Sequence, residues 1–267
     1  MKIFDSHAHY DDERFDDCRD LLLTELVTNE NVCVIVNAGA SLASTESSAE
    51  LSEKYPFMYF ASGVHPESAH TDSGNPGWID IVRNKANHKK CVAIGEIGLD
   101  YYYGKETAEI QKHVFKEQLK LASEMNLPVV IHDREAHADC LSVISEFPDV
   151  YGVFHSYSGS FEMAKDLVRR GWYISFNGIL TFKNARKTVE VLEGLKDFDG
   201  GKHFDKILVE TDCPYLAPVP FRGKTNNSGY IRFVAQKAGE ILGISPEEFC
   251  ELTYNNACRF YRLEGKL

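Results

Sequence analysis

His7 and His9 are separated by one residue and follow the apolar start Ile3-Phe4. On a strand, alternate side chains share a face, so both imidazoles leave on the same side. Two imidazoles side by side at a strand end can hold one metal ion. Other ligand-capable residues recur behind other apolar runs. They are His65 after Gly63-Val64, Glu96 after Ala93-Ile94-Gly95, His132 after Val130-Ile131, His155 after Phe154, and Asp212 after Val209-Glu210-Thr211. A polar group that emerges from an apolar run needs a partner. Histidine and carboxylate donors without a thiol suit zinc, manganese or iron, and a carboxylate-rich set can use magnesium. The count favours two ions. One would take His7, His9 and Asp212, the other His132 and His155, and Glu96 could bridge them with its two oxygens. Two ions roughly 3.5–4 Å apart can clamp the attacking and leaving oxygens of an in-line displacement and make hydroxide available near neutral pH. The plainer reading of His7 and His9, two surface histidines near a chain terminus, leaves that recurrence unexplained.

The elements that must position these residues alternate along the whole chain. Apolar runs near 2–7, 32–38, 58–64, 91–97, 127–132, 151–156, 172–177 and 207–212 read as strands. They are near-continuous rather than alternating, as suits parallel strands covered on both faces. Helical spacing lies between them, as at Phe15, Cys18, Leu22 and Leu26, or at Phe115, Leu119 and Ala122. Ser160 is a candidate N-cap for a helix that ends before Gly171. Ser245-Pro246-Glu247-Glu248 reads as a capping box opening a terminal helix, after an earlier helix around 228–242. Residues 68–77 and 218–229 read as loops. Eight strands alternating with helices predict an α/β fold, a (β/α)8 TIM barrel of the metal-dependent hydrolase type, with residues 1–267 as one domain. An open doubly wound sheet is the rival, and no GxGxxG follows the first strand to favour it. In a barrel, active sites form at the C-terminal ends of strands, where these ligand candidates fall.

Composition narrows the partners. The net charge of −11 argues against a surface that coats nucleic acid by bulk charge, so a polyanionic substrate would have to be attracted locally. No apolar run approaches the roughly 18 residues of a membrane span, and no basic-then-apolar leader precedes His7. The 7 cysteines are dispersed without a CxxC pair, which predicts reduced thiols and a cytoplasmic protein.

Six segments then converge. They are Asp5-Ser6-His7-Ala8-His9, Gly63-Val64-His65-Pro66, Gly95-Glu96-Ile97-Gly98-Leu99-Asp100-Tyr101, Ile131-His132-Asp133-Arg134-Glu135-Ala136, His155-Ser156-Tyr157-Ser158-Gly159-Ser160 and Glu210-Thr211-Asp212-Cys213-Pro214-Tyr215-Leu216-Ala217-Pro218. In this order they resemble the TatD family of metal-dependent deoxyribonucleases, within the amidohydrolase superfamily, over essentially the whole chain. The resemblance implies a two-metal site of His7, His9, Glu96, His132, His155 and Asp212. It implies hydrolysis of DNA phosphodiesters, often by trimming single strands from the 3′ end. It also implies magnesium or manganese for activity, with zinc as a possible occupant of the isolated protein. The chain departs from the family at Arg222-Gly223-Lys224-Thr225-Asn226-Asn227-Ser228, where relatives carry a further basic residue, an acidic residue and a proline. Glu67 also stands where relatives often carry a histidine.

Roles follow for the individual residues. Asp212 is read as ligand and general base, against the alternative of a helix cap. Glu96 is read as the bridging ligand, against a buried ion pair. His65, Arg134, Arg222 and Lys224 are substrate candidates. His65 could equally be a satisfied strand-end histidine, and Arg134 an outward helix-start residue. Tyr101, Tyr102 and Tyr103 could stack a base or pack as a rim. Cys213 has no histidine base at a readable position and is not read as a nucleophile. The rival functions are hydrolysis of an amide, ester or lactone at the same metals, and a metal-binding protein without turnover.

Overall fold

The computed structural model describes all 267 residues. The strands are β1 (Ile3–Ala8), β2 (Val32–Ala38), β3 (Met58–Ser62), β4 (Cys91–Asp100), β5 (Val129–Arg134), β6 (Gly152–Phe154), β7 (Tyr173–Phe176) and β8 (Ile207–Val209). They form one sheet in sequential order, β1 to β8, with helices in the connections. The registers of β3 with β4, β4 with β5, β5 with β6 and β7 with β8 are parallel. The segment after β8 returns to β1. The Asp212 N–H donates to the His7 carbonyl at 3.0 Å, and the His9 N–H donates to the Cys213 carbonyl at 2.8 Å. This is the expected (β/α)8 barrel. By compactness the chain divides into two units, residues 1–36 with 156–267, and residues 37–155.

In the first unit β1 is buried at every position, polar residues included. Phe4 stacks on Tyr261, whose hydroxyl donates to the Ser6 carbonyl at 2.7 Å. The terminal helix Pro246–Phe260 carries the predicted capping box of Ser245 and Glu248, and its Asn256 donates to the Ile207 carbonyl at the start of β8. Ser160 caps the helix Phe161–Arg169 as expected. The first helix differs from its reading. Residues Glu13–Phe15 form a separate 3-10 turn capped by Asp12, and the α-helix begins only at Arg19. The face therefore rotates: Leu23 and Leu26 are buried, Leu22 is half-buried and Cys18 is exposed.

The second unit is built on β4, which is buried over its whole length and runs three residues further than its apolar run suggested. Its register with β5 shifts between Ile94 and Ile97, a bulge of the kind that re-aims a side chain, here at Glu96. At Gly98 (φ +142) an added Cβ would stand 2.0 Å from the His132 carbonyl oxygen, so only glycine lets the two strands approach there. The helix Ala108–Met125 buries Val114, Phe115, Leu119 and Ala122 against the sheet. Two glutamines of that helix grip strand-end backbone. Gln118 accepts from the Val64 N–H at 2.7 Å and donates to the Val64 carbonyl at 3.0 Å. Gln111 does the same for Asp100 at 2.9 and 3.0 Å. Of the expected loops, 218–229 is irregular almost to its end. Residues 68–77 contain one helical turn, Ala69–Asp72, entered through a 3-10 turn with Pro66 at its start. No helix is long and apolar enough to cross a membrane.

Candidate metal centre

The first unit brings together His7, His9 and Asp212. The two histidine Nε2 atoms are 3.0 Å apart, and Asp212 Oδ1 is 3.6 Å from His7 and 3.4 Å from His9. Ligands about 2.05 Å from a tetrahedral ion stand roughly 3.3 Å apart, so this spacing fits a shared cation. Asp212 has a left-handed backbone (φ 56), a conformation that Asp tolerates better than most residues. It caps no helix, because bridge and turn residues follow it. Beneath the group, buried Asp5 ties β1 to the segment after β8. Its carboxylate accepts from the Thr211 N–H at 2.9 Å, the Thr211 hydroxyl at 2.6 Å and the Ser228 hydroxyl at 2.7 Å. Burial pushes Asp5 up to about 7 against the pull of those hydrogen bonds. Burial also pushes the Cys213 thiol far up, which agrees with its exclusion as a nucleophile.

The second unit gathers His65, Glu96, His132 and His155. Glu96 Oε1 is 2.7 Å from His132 Nδ1, 2.8 Å from His155 Nε2 and 3.4 Å from His65 Nε2. His132 Nδ1 and His155 Nε2 are themselves 3.2 Å apart. His65, Glu96 and His132 offer donor atoms that all lie within 4.8 Å of one another, a set whose chemistry suits a divalent ion, and His155 closes on the same Glu96 oxygen. His65 has a second task, because its Nδ1 accepts from the Glu67 N–H at 3.1 Å and caps the turn after β3. Burial, then the neighbouring His132, holds His65 below its usual range.

Asp100, which has no assigned role among the strand-end residues, grips a ligand candidate. Its Oδ2 is 3.0 Å from His132 Nε2, while its Oδ1 accepts from the N–H groups of Tyr102 and Tyr103 at 2.9 and 2.8 Å. A carboxylate on one ring nitrogen fixes the tautomer and leaves the other to bind a cation, here Nδ1 facing Glu96. Burial opposes charge on this pair. The hydrogen bonds that His132 makes to Asp100 and Glu96 nevertheless hold it above its usual range, and those that Asp100 accepts from His132, Tyr103 and Tyr102 hold Asp100 below its own.

The remaining candidates lie outside the two groups. Arg134 is exposed, with its guanidinium 4.1 Å over the Tyr102 ring and 4.7 Å over the Tyr103 ring. Tyr101 turns away and donates to Asp139 at 2.6 Å. Arg222 lies 3.6 Å over the Phe182 ring and Lys224 lies 5.7 Å over that of Phe221, both side chains exposed.

A (β/α)8 barrel whose strand ends carry histidine–carboxylate groups of this kind has the architecture and donor chemistry of a metal-dependent hydrolase. Residues 4–262 match the family model described as TatD related DNase. A curated Bacillus subtilis protein, an uncharacterized metal-dependent hydrolase, is 38% identical over 98% of this chain and 99% of its own length. An Escherichia coli protein of the same description is 34% identical over 99% of this chain and 97% of its own. The crystal structure of a TatD homologue from Escherichia coli superposes with a TM-score of 0.87 at 26% identity, covering 97% of this chain and 98% of that one. The chain belongs to the TatD family of metal-dependent hydrolases.

Proposed function

We propose that this protein is a deoxyribonuclease that hydrolyses phosphodiesters of single-stranded DNA, shortening the strand from its 3′ end. The observation that carries the reading is Glu96, a buried carboxylate faced by three imidazoles with one of them held in place by Asp100. We assign His7, His9 and Asp212 to one ion, His132 and His155 to a second, and Glu96 to both, and we read the two units as one catalytic domain. Divalent ions held there, magnesium or manganese in the active protein, supply Lewis acidity to a phosphoryl oxygen and lower the pKa of water. Asp212 accepts the proton of the attacking water. In-line attack on phosphorus then expels the 3′-oxygen, with His65 beside the phosphate or leaving group. Arg134, Arg222 and Lys224 supply local positive charge on a chain that is acidic as a whole. All 7 cysteines are free, which supports a reducing, cytoplasmic setting.

The test is single-turnover digestion of 3′- and 5′-labelled single-stranded DNA by metal-stripped protein with magnesium, manganese or zinc restored, and His132→Ala as control. Stepwise, metal-dependent 3′ shortening that disappears in the variant is expected. No cleavage with any of the metals would end the nuclease reading and direct assays to amides, esters and lactones.

A further inference from the structure

The chain has 16 Phe, 13 Tyr and 2 Trp, and the exposed ones are Tyr102, Tyr103 and Tyr215. Large aromatic side chains are normally buried for most of their area. Tyr102 and Tyr103 are 55% and 61% exposed, Tyr215 is 49% exposed, and each lies under an arginine. Both arginine–tyrosine stacks also adjoin a ligand group. In the second unit the Tyr102 and Tyr103 rings meet edge to face at 4.6 Å beneath Arg134. Their turn hangs from one oxygen of Asp100 while the other oxygen holds His132, and Arg134 follows His132 by two residues on β5. In the first unit Arg14 lies 4.3 Å over Tyr215, whose ring is 6.4 Å from that of His9.

We propose that these two stacks are nucleobase subsites, one beside each ligand group. Each open ring face receives an unpaired base of the single strand. The inference rests on the nuclease reading and extends it from the phosphate to the bases. A ring clamped under a guanidinium is held rigid, so little side-chain freedom is lost when a base stacks on it. Arg14 is engaged by Asp12 through two hydrogen bonds of 2.8 Å, so the Tyr215 stack offers a ring face more than a charge. Stacking accepts any base but needs the base unpaired, so the subsites select single strands without selecting sequence.

The test uses metal-loaded protein mixed rapidly with a short single-stranded oligonucleotide carrying 2-aminopurine, and with an abasic oligonucleotide of the same length. Quenching before cleavage reports stacking, and KM and kcat follow from the turnover. The proteins are wild type, Tyr102→Ala/Tyr103→Ala, Tyr102→Phe/Tyr103→Phe and Tyr215→Ala. Wild type is expected to quench. The alanine variants should lose quenching and bind the base-bearing strand roughly 5- to 100-fold more weakly, the range of base–aromatic stacking, with kcat and abasic binding little changed. The phenylalanine variant should match wild type. Alanine variants that equal wild type on the base-bearing strand, in a protein that cleaves it, overturn the subsites and leave the nuclease reading intact. Equal losses on both oligonucleotides also overturn them, because the rings would then serve only the fold. Wild type that neither binds nor cleaves the strand ends both readings together.

Discussion

The two ligand groups are supported in different ways. His7, His9 and Asp212 come from opposite ends of the sequence and are brought together by backbone. The strand bonds between β1 and the segment after β8 set their spacing, and Asp5 reinforces them by accepting from Thr211 and Ser228. His65, Glu96, His132 and His155 depend on side chains instead. Glu96 gathers the rings, and Asp100 fixes one of them directly. Each group thus has a buried aspartate behind it, one acting on the chain and the other on an imidazole. A group pinned by backbone should fail by unfolding, and one pinned by side chains should fail by losing its ion.

The largest effect that would expose this contrast is expected from Glu96→Gln. The amide keeps the shape but loses the charge that three imidazoles face. Activity should fall by about 100-fold or more, and bound metal should fall with it, read by elemental analysis beside turnover. Full activity with two ions retained would remove the bridging assignment. Next comes a matched pair. Asp100→Asn turns an amide N–H toward His132 and should weaken one ion by roughly 10- to 100-fold while thermal stability barely moves. Asp5→Ala leaves buried donors of Thr211 and Ser228 without their acceptor and should cost roughly 3 kcal/mol in denaturant unfolding. If the two outcomes were exchanged, the backbone and side-chain assignments would be exchanged with them. Arg222→Ala with Lys224→Ala should raise KM for oligonucleotides by a few-fold and leave kcat alone. Unchanged kinetics on several oligonucleotides would take phosphate binding away from that loop. The smallest effect is Ser245→Ala, which removes the capping box far from both groups. It should cost about 1 kcal/mol in thermal or denaturant unfolding with metal content unchanged.

Much of this was legible in the sequence because it obeys short-range rules. Period two placed His7 and His9 together, continuous apolar runs marked the eight strands, and Ser160 and Ser245 announced their helices in the residues that follow. What escaped was tertiary. Asp100 reads as one more residue of a Gly-Leu-Asp run, and only the pairing of Gly98 with His132 on β5 reveals that its carboxylate meets an imidazole. Gln111 and Gln118 look like solvent-facing positions of an amphipathic helix, whereas their amides are buried on strand-end carbonyls and N–H groups. The first helix misled through its own local chemistry. Asp12 stops the chain in a 3-10 turn, so the spacing that included Cys18 crosses a break. Arg134 follows His132 at the spacing a phosphate contact would have, and nothing local says that two tyrosine rings lie under it.

The paired glutamines carry a consequence for how the molecule can change. Gln111 and Gln118 lie seven positions apart, two turns of one helix, and hold Asp100 and Val64 like two pins of a jig. The distance between those strand ends is therefore set by the helix and not by the loops that leave them. The turn at 101–107 hangs from the same pins, with the Tyr102 and Tyr103 N–H groups on Asp100 and the Gly104 carbonyl on Gln111, so a change in that turn reaches His132 through Asp100 while the separation of Asp100 from Val64 stays in gauge.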